Sequence, residues 1–194
     1  EPDPGSDSLH KTKYSRNDLQ GKAVNKRALQ LMAGFADDPA VPLIGMVSRL
    51  DDQKGLNIIV RAVRDIVKDS IVQFVFLGRG REQYEHALMA LEARYPDHVR
   101  AFITFDNEKA HLIYAGSDMF LMPSMYEPCG LGQLIAMRYG TVPIVRSTGG
   151  LADTVEPLSK DISSGSGFVF DNYDAAELAR AVAVAVDAYR DRAA

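Results

Sequence analysis

From Val41 onward, short apolar runs alternate with helix-length amphipathic stretches, and this alternation restricts the possible folds more than any other feature of the chain. The runs Val41 to Val47, Ile71 to Leu77, Val99 to Ile103, Met119 to Met122 and Val142 to Val145 read as strands, with a sixth at Gly167 to Phe170. Helical patterns fall between and beside them, at Asp18 to Met32, Leu56 to Lys68, Glu82 to Arg94, Lys109 to Ala115, Gly130 to Tyr139 and Ala175 to Tyr189. Strands that are apolar at nearly every position are buried on both faces, as in a parallel sheet covered by helices on either side. The fold class that follows is α/β, a doubly wound Rossmann-like parallel sheet, with ligands expected at the carboxyl ends of the strands.

The 194 residues suit a single domain, 1–194, or one large lobe of a bigger enzyme. Residues 1–14, polar and Pro/Gly-bearing, read as a linker or extended arm, and a start at Glu1 reads as the beginning of a piece cut from a longer chain. With a net charge of −4 and no strongly basic stretch, a nucleic-acid surface is not expected. No apolar run is long enough to span a bilayer as a helix, so no membrane partner is expected either. Cys129 is the only cysteine, which excludes an internal disulfide and fits a reducing compartment. The four histidines, His10, His86, His98 and His111, show no metal-ligand spacing, and no G-x-S-x-G elbow or Ser/His/Asp order is present.

The residues able to carry chemistry follow the strands. Arg49 and Lys54 share the loop after the first strand, where two cations five residues apart can converge on one diphosphate, Arg as a planar fork and Lys as a point charge. Taken alone, two solvated surface charges, usual for loop Lys and Arg, are the better reading; beside the other motifs, phosphate binding is favoured. Gly78-Arg79-Gly80 allows close backbone approach to a ligand, or a tight turn into a helix. It is not a dinucleotide fingerprint, since position 83 is Gln. Glu127 precedes Pro128, which biases it to an extended backbone at the mouth of the expected crevice. A helix opened by small residues then follows, so an acid stands beside a helix N-terminus, an arrangement suited to a sugar with an anionic diphosphate. Cys129 reads as a small packing residue rather than a nucleophile, because no His lies in the neighbouring motif. Thr148-Gly149-Gly150 reads as a Gly-rich turn.

The run from Glu127 to Val155, EPCGLGQLIAMRYGTVPIVRSTGGLADTV, closely resembles bacterial glycogen synthases and plant starch synthases. Ser48-Arg49-Leu50 followed by Gln53-Lys54-Gly55-Leu56 resembles the same family's second signature, and the likeness runs from roughly Tyr14 to Phe170. The resemblance implies the C-terminal lobe of a GT-B glycosyltransferase, two Rossmann-like lobes facing a cleft. It implies transfer of glucose from ADP-glucose to the nonreducing end of an α-1,4-glucan, with retention, no cofactor and no obligatory metal. ADP-glucose or ADP would be the small-molecule partner, and the glucan would be bound through an N-terminal lobe. Bacterial cytoplasm or plastid stroma would be the compartment.

Carried onto this chain, Arg49 and Lys54 would neutralise the departing diphosphate, and Glu127 would hold the glucose hydroxyls. The segment Tyr126, Cys129, Gly130, Leu131 and Gly132, with Gly78, would line the nucleotide and sugar, and Phe105 would lie against the adenine. The family's N-terminal Lys-Gly-Gly signature and active-site His are absent, so the isolated lobe is expected to be inactive. Met125 stands where many members carry Arg, and Phe105 lacks the hydroxyl of a Tyr found in some. Ile135 replaces the second acid of the Glu-x₇-Glu pattern of related transferases, which favours the starch/glycogen branch. A UDP-glucose-using retaining transferase, or a non-catalytic nucleotide- or glucan-binding module, remain the alternatives.

Overall fold

A computed structural model describes residues 3–159 and 161–193, with side chains through Asp191. Six strands form one parallel sheet: β1 (Leu43–Val47), β2 (Gln73–Leu77), β3 (Val99–Phe102), β4 (Met119–Met122), β5 (Val142–Arg146) and β6 (Phe168–Phe170). Their spatial order is β3-β2-β1-β4-β5-β6. The chain therefore builds outward from β1 in one direction, then returns to place β4 beside β1 and builds the other way. The switch point lies between β1 and β4, where Ile44 pairs with Met119 and Gly45 with Phe120. In open α/β sheets the crevice at this point, outside the strand carboxyl ends, is the ligand site.

The strands are buried because both faces are covered. Ile44, Met46, Phe74 and Phe76 turn to one side, where they pack with α2 (Leu56–Asp69), α3 (Glu82–Arg94) and α7 (Ala175–Ala193). Leu43, Val75, Leu77 and Phe120 turn to the other, against α1 (Gln20–Met32), α4 (Asn107–Gly116) and α5 (Gly132–Arg138). Adjacent strand residues thus feed opposite cores, the period-2 pattern of a pleated strand. Each such Leu, Ile or Phe contributes about 1.5–3 kcal/mol on burial. The helices supply matching stripes: Leu56, Ile59, Val63 and Ile66 of α2 are all buried, at helical spacing.

Element boundaries differ from the sequence expectation at several places. Helix α1 starts at Gln20 because Asp18 is engaged in a turn, exchanging backbone bonds with Ser15 and accepting Gln20 N–H on its side chain. The segment from Gly130 does not open as helix: Gly130 has φ +67°, and α5 begins only at Gly132. The turn expected at Thr148-Gly149-Gly150 is instead the start of a short helix, α6 (Gly149–Thr154). Helix α7 runs past Tyr189 to Ala193.

Residues 3–14 carry no helix or strand and pack over α1, α4 and α5. Tyr14 is buried and donates its hydroxyl to Tyr139 O at 2.8 Å; Asn25 exchanges two hydrogen bonds with Thr12. Asp7 accepts from Tyr139 Oη (2.6 Å) and the Leu9 amide (2.9 Å) and lies 2.7 Å from His111 Nδ1. Burial opposes ionisation of Asp7, but these bonds outweigh it and hold the carboxyl down at about 2, below its ordinary 3.8. A depressed carboxylate pKa stabilises the fold fully above the unfolded value and loses that contribution as pH falls through the folded one. Acid should therefore loosen the arm as pH falls from about 4 to about 2. Stability measured against pH should lose this limb in Asp7→Asn; an unchanged acid profile would show that Asp7 does not hold the arm.

Candidate active site

Two loops meet over the switch point. The first, residues 48–55, leaves β1 and closes in a single 3₁₀ turn, Asp52–Lys54. Asp51 is extended and caps that turn, its Oδ1 accepting the Lys54 amide at 3.1 Å. Gly55 follows at φ +81°, and a Cβ there would lie 2.3 Å from Pro123 O, so only glycine lets the chain swing into α2 against the second loop. The second loop, residues 123–131, leaves β4. Gln53 laces the two together, its carbonyl accepting Met125 N–H (2.8 Å) and its side-chain amide donating to Tyr126 O (3.1 Å).

This lacing delivers Lys54 to Glu127. Lys54 Nζ donates to Glu127 Oε2 at 2.5 Å, and Ser124 Oγ donates to the same oxygen at 3.2 Å. The side chains are 18% and 10% exposed, so the pair is mostly withdrawn from water, with Glu127 deeper than its partner. Glu127 is also fixed through its backbone, whose carbonyl accepts the Gly150 amide at 2.9 Å. The glycines that open α6 exist for this contact. A Cβ on Gly149 would lie 2.2 Å from Glu127 O, and one on Gly150 would lie 1.9 Å from Cys129 O. Thr148-Gly149-Gly150 is therefore a seat for the 127–129 backbone.

Beside the pair opens a cleft of about 1020 Å³, lined by Arg49, Arg79, Arg81, Gln53, Glu85 and Phe105 among others. Each arginine leans on an acid of its own neighbourhood: Arg49 on Asp51 (3.2 Å), Arg79 on Glu85 (3.5 Å) and Arg81 on Asp52. The Gly80 amide, with Arg79, holds the Glu85 carboxyl below its ordinary range. Burial and the hydrogen bond to Asp52 push the Tyr84 phenol up. Exposed pairs of this kind are worth little in water and exchange readily for a better anion. Phe105 is 77% exposed, an aromatic face presented to the cleft.

The structure brings Arg49 and Phe105 into one cleft and Lys54 and Glu127 into one pair beside it, joined through Gln53. Arg49 and Lys54 do not converge on a common point here: each has its own acidic partner. Tyr126 (57% exposed) and Leu131 (70%) stand on the rim. Gly130 is buried and faces the Gln133 side chain, which donates to its carbonyl at 2.9 Å; Gly132 abuts Met122 Sδ. Cys129 corrects the packing assignment. It is exposed, and what packs is its carbonyl, against Gly150.

Gly78-Arg79-Gly80 likewise serves the scaffold. A Cβ on Gly78 would lie 1.8 Å from Ser48 O and one on Gly80 would lie 2.2 Å from Leu50 O, while Leu50 N–H donates to Arg79 O at 2.9 Å. The pair allows the loops after β1 and β2 to run side by side, which places Arg49 and Arg79 on the same cleft. Gln53, Ser124, Arg79 and Arg81 were not singled out from sequence. Each carries the available signal, a place in a segment that follows a strand, but nothing that marks it off from its neighbours there. Among the described residues no group of three His, Cys, Asp or Glu could hold a metal ion. No described helix is long and apolar enough to cross a membrane.

A parallel six-stranded sheet wound in both directions from β1 and covered by helices on each face is the Rossmann-like fold of GT-B glycosyltransferases. Residues 33–194 match the family described as Glycosyl transferases group 1, and the chain belongs to that family. It is 44% identical to a glycogen synthase of Bacillus cereus over 97% of its length, and 47% identical to one of Thermosipho melanesiensis over 99%. In both cases it spans 40% of the relative. The catalytic domain of starch synthase IV from Arabidopsis thaliana, bound to ADP and acarbose, superposes with a TM-score of 0.89 at 37% identity, over 97% of this chain and 39% of that one. The C-terminal domain of a group 1 glycosyl transferase from Francisella tularensis shares the fold, with a TM-score of 0.66 at 17% identity over 85% of each chain.

Proposed function

We propose that this chain is the donor-nucleotide lobe of a glycogen or starch synthase, transferring glucose from ADP-glucose to the nonreducing end of an α-1,4-glucan with retention of configuration. The observation that carries the reading is the Lys54–Glu127 pair at the switch point, beside a cleft bearing Arg49 and an exposed Phe105. When the bond from the glucose carbon to the diphosphate breaks, its electron pair goes to the diphosphate. In this reading Lys54 and Arg49 turn from their acidic partners to the diphosphate and receive that charge, so the scheme requires no divalent metal. Glu127, an acceptor-only group, takes hydrogen bonds from sugar hydroxyls and orients the reacting carbon. The first turn of α5, around Leu131 and Gly132, offers amides that the helix itself does not use. Phe105 supplies a face for the base.

The glucan and the rest of the catalytic machinery belong to a second lobe, in keeping with the share of the relatives that this chain spans. The lobe alone is thus a binding unit without transfer activity. ADP is favoured over UDP because the 37%-identical starch synthase IV holds ADP. Calorimetric titration of the chain with ADP, UDP and ADP-glucose tests this. ADP should bind, without added metal, and Lys54→Ala should weaken it about tenfold, as expected for a lost charge-assisted contact. Preference for UDP would assign another donor, and failure of all three to bind even the two-lobe protein would overturn the reading.

A further inference from the structure

Arg146 and Tyr173 have no place in the donor scheme, yet they tie together the two loops that carry it. Arg146 is the last residue of β5. Its Nη1 donates to Ser124 O (3.2 Å) and Met125 O (2.6 Å), and its Nε donates to Asp171 O (3.1 Å). The guanidinium lies 5.6 Å above the ring of Tyr173, which fixes its plane. The Tyr173 hydroxyl in turn lies 2.5 Å from Asn57 Oδ1 and 3.1 Å from Asp52 O.

These contacts form a bridge from one loop to the other. At one end are Ser124 and Met125, just before Glu127; Ser124 itself donates to the Glu127 carboxylate. At the other end are Asp52, which opens the 3₁₀ turn ending in Lys54, and Asn57, in the first turn of α2. The two loops depart from different strands, and a displacement of about 1 Å between catalytic groups is enough to cost orders of magnitude in rate. A planar guanidinium that spans three carbonyls while stacking on a ring suits this task, and a lysine does not.

We infer that Arg146 and Tyr173 form a positioning clamp that sets Lys54 against Glu127 across the crevice, an inference that rests on the donor reading above. Both residues act through the pair and touch no substrate.

The test is a double-mutant cycle on glucosyl transfer by the two-lobe protein, with Tm measured alongside. Tyr173→Phe keeps the ring beneath Arg146 and removes only the hydroxyl. It should lower kcat about tenfold while KM for ADP-glucose moves less than about twofold. In a Lys54→Ala background the same change should cost less than about twofold, because the group being positioned is gone. Arg146→Gln should behave like Tyr173→Phe, and Arg146→Lys should not rescue it. Equal losses with and without Lys54, a loss confined to KM, or no loss from Tyr173→Phe where Lys54→Ala is costly would each overturn the clamp while leaving the donor reading intact. Transfer undiminished by Lys54→Ala would overturn both. If Tyr173→Phe fails to fold, Asn57→Ala addresses the same hydroxyl and takes its place in the cycle.

Discussion

Replacing Lys54 with alanine should lower glucosyl transfer by the two-lobe protein on the order of 10²-fold or more, the usual consequence of deleting a preorganised group that meets charge developing in the transition state. On the donor reading, Lys54 is the more consequential of the two cations. It is held on Glu127 in a mostly water-excluded position, where its field is screened least, whereas the Arg49 side chain is 64% exposed and leans on Asp51. The substitution also has a structural cost, since it leaves the Glu127 carboxylate with Ser124 Oγ but without its cation. Two measurements separate these effects. Arg49→Ala should reduce transfer with Tm unchanged, because an exposed pair adds little to stability. Lys54→Ala should reduce both Tm and transfer, and ADP affinity should fall with it. A Lys54→Ala protein that transfers glucose at the parent rate would remove Lys54 from the mechanism.

Gly150→Ala should be among the most damaging of the conservative changes. The added methyl would stand 1.9 Å from Cys129 O, which is backbone and has no rotamer to yield. Either α6 or the 127–129 segment must move. Overpacking of this kind costs about 1–3 kcal/mol, and here the displaced segment carries Glu127. Loss of the Gly150 amide bond to Glu127 O would follow. The expected result is a lowered Tm together with a loss of ADP binding larger than the stability change explains. Ala152→Gly, an exposed position in the same short helix, is the control for helix propensity alone. Full nucleotide affinity in Gly150→Ala would show that the seat beneath Glu127 does not matter.

Much of the scaffold could be read from residues alone. Val-, Ile- and Phe-rich runs such as Gln73–Leu77 have to be buried on both faces, and helices long enough to cross back over a sheet separate them. Helix α3 and strand β4 fall where their patterns place them. Helix α6 and the start of α5 are not legible in the same way. Helix α6 has six residues and opens with two glycines, so neither periodicity nor propensity marks it; it exists because the 127–129 backbone lies across its first turn. The late start of α5 likewise depends on the left-handed Gly130 and on the Gln133 side chain folded back onto its carbonyl.

Burial pattern and chain order are local properties, and they suffice to specify a doubly wound parallel sheet with Arg49, Lys54, Glu127 and Phe105 on segments that follow strands. Partnership was decided in three dimensions. Lys54 joins Glu127, 73 positions away, rather than its neighbour Arg49, because parallel pairing of β1 with β4 brings their loops together and Gln53 laces them. The glycines of the 78–80 turn and of α6 serve backbone contacts with Ser48, Leu50, Glu127 and Cys129. Arg146 and Tyr173 reach those loops only because β5 and β6 lie on the same side of the switch. Such contacts join segments whose separation along the chain carries no trace of their distance in space, and only the assembled sheet supplies it.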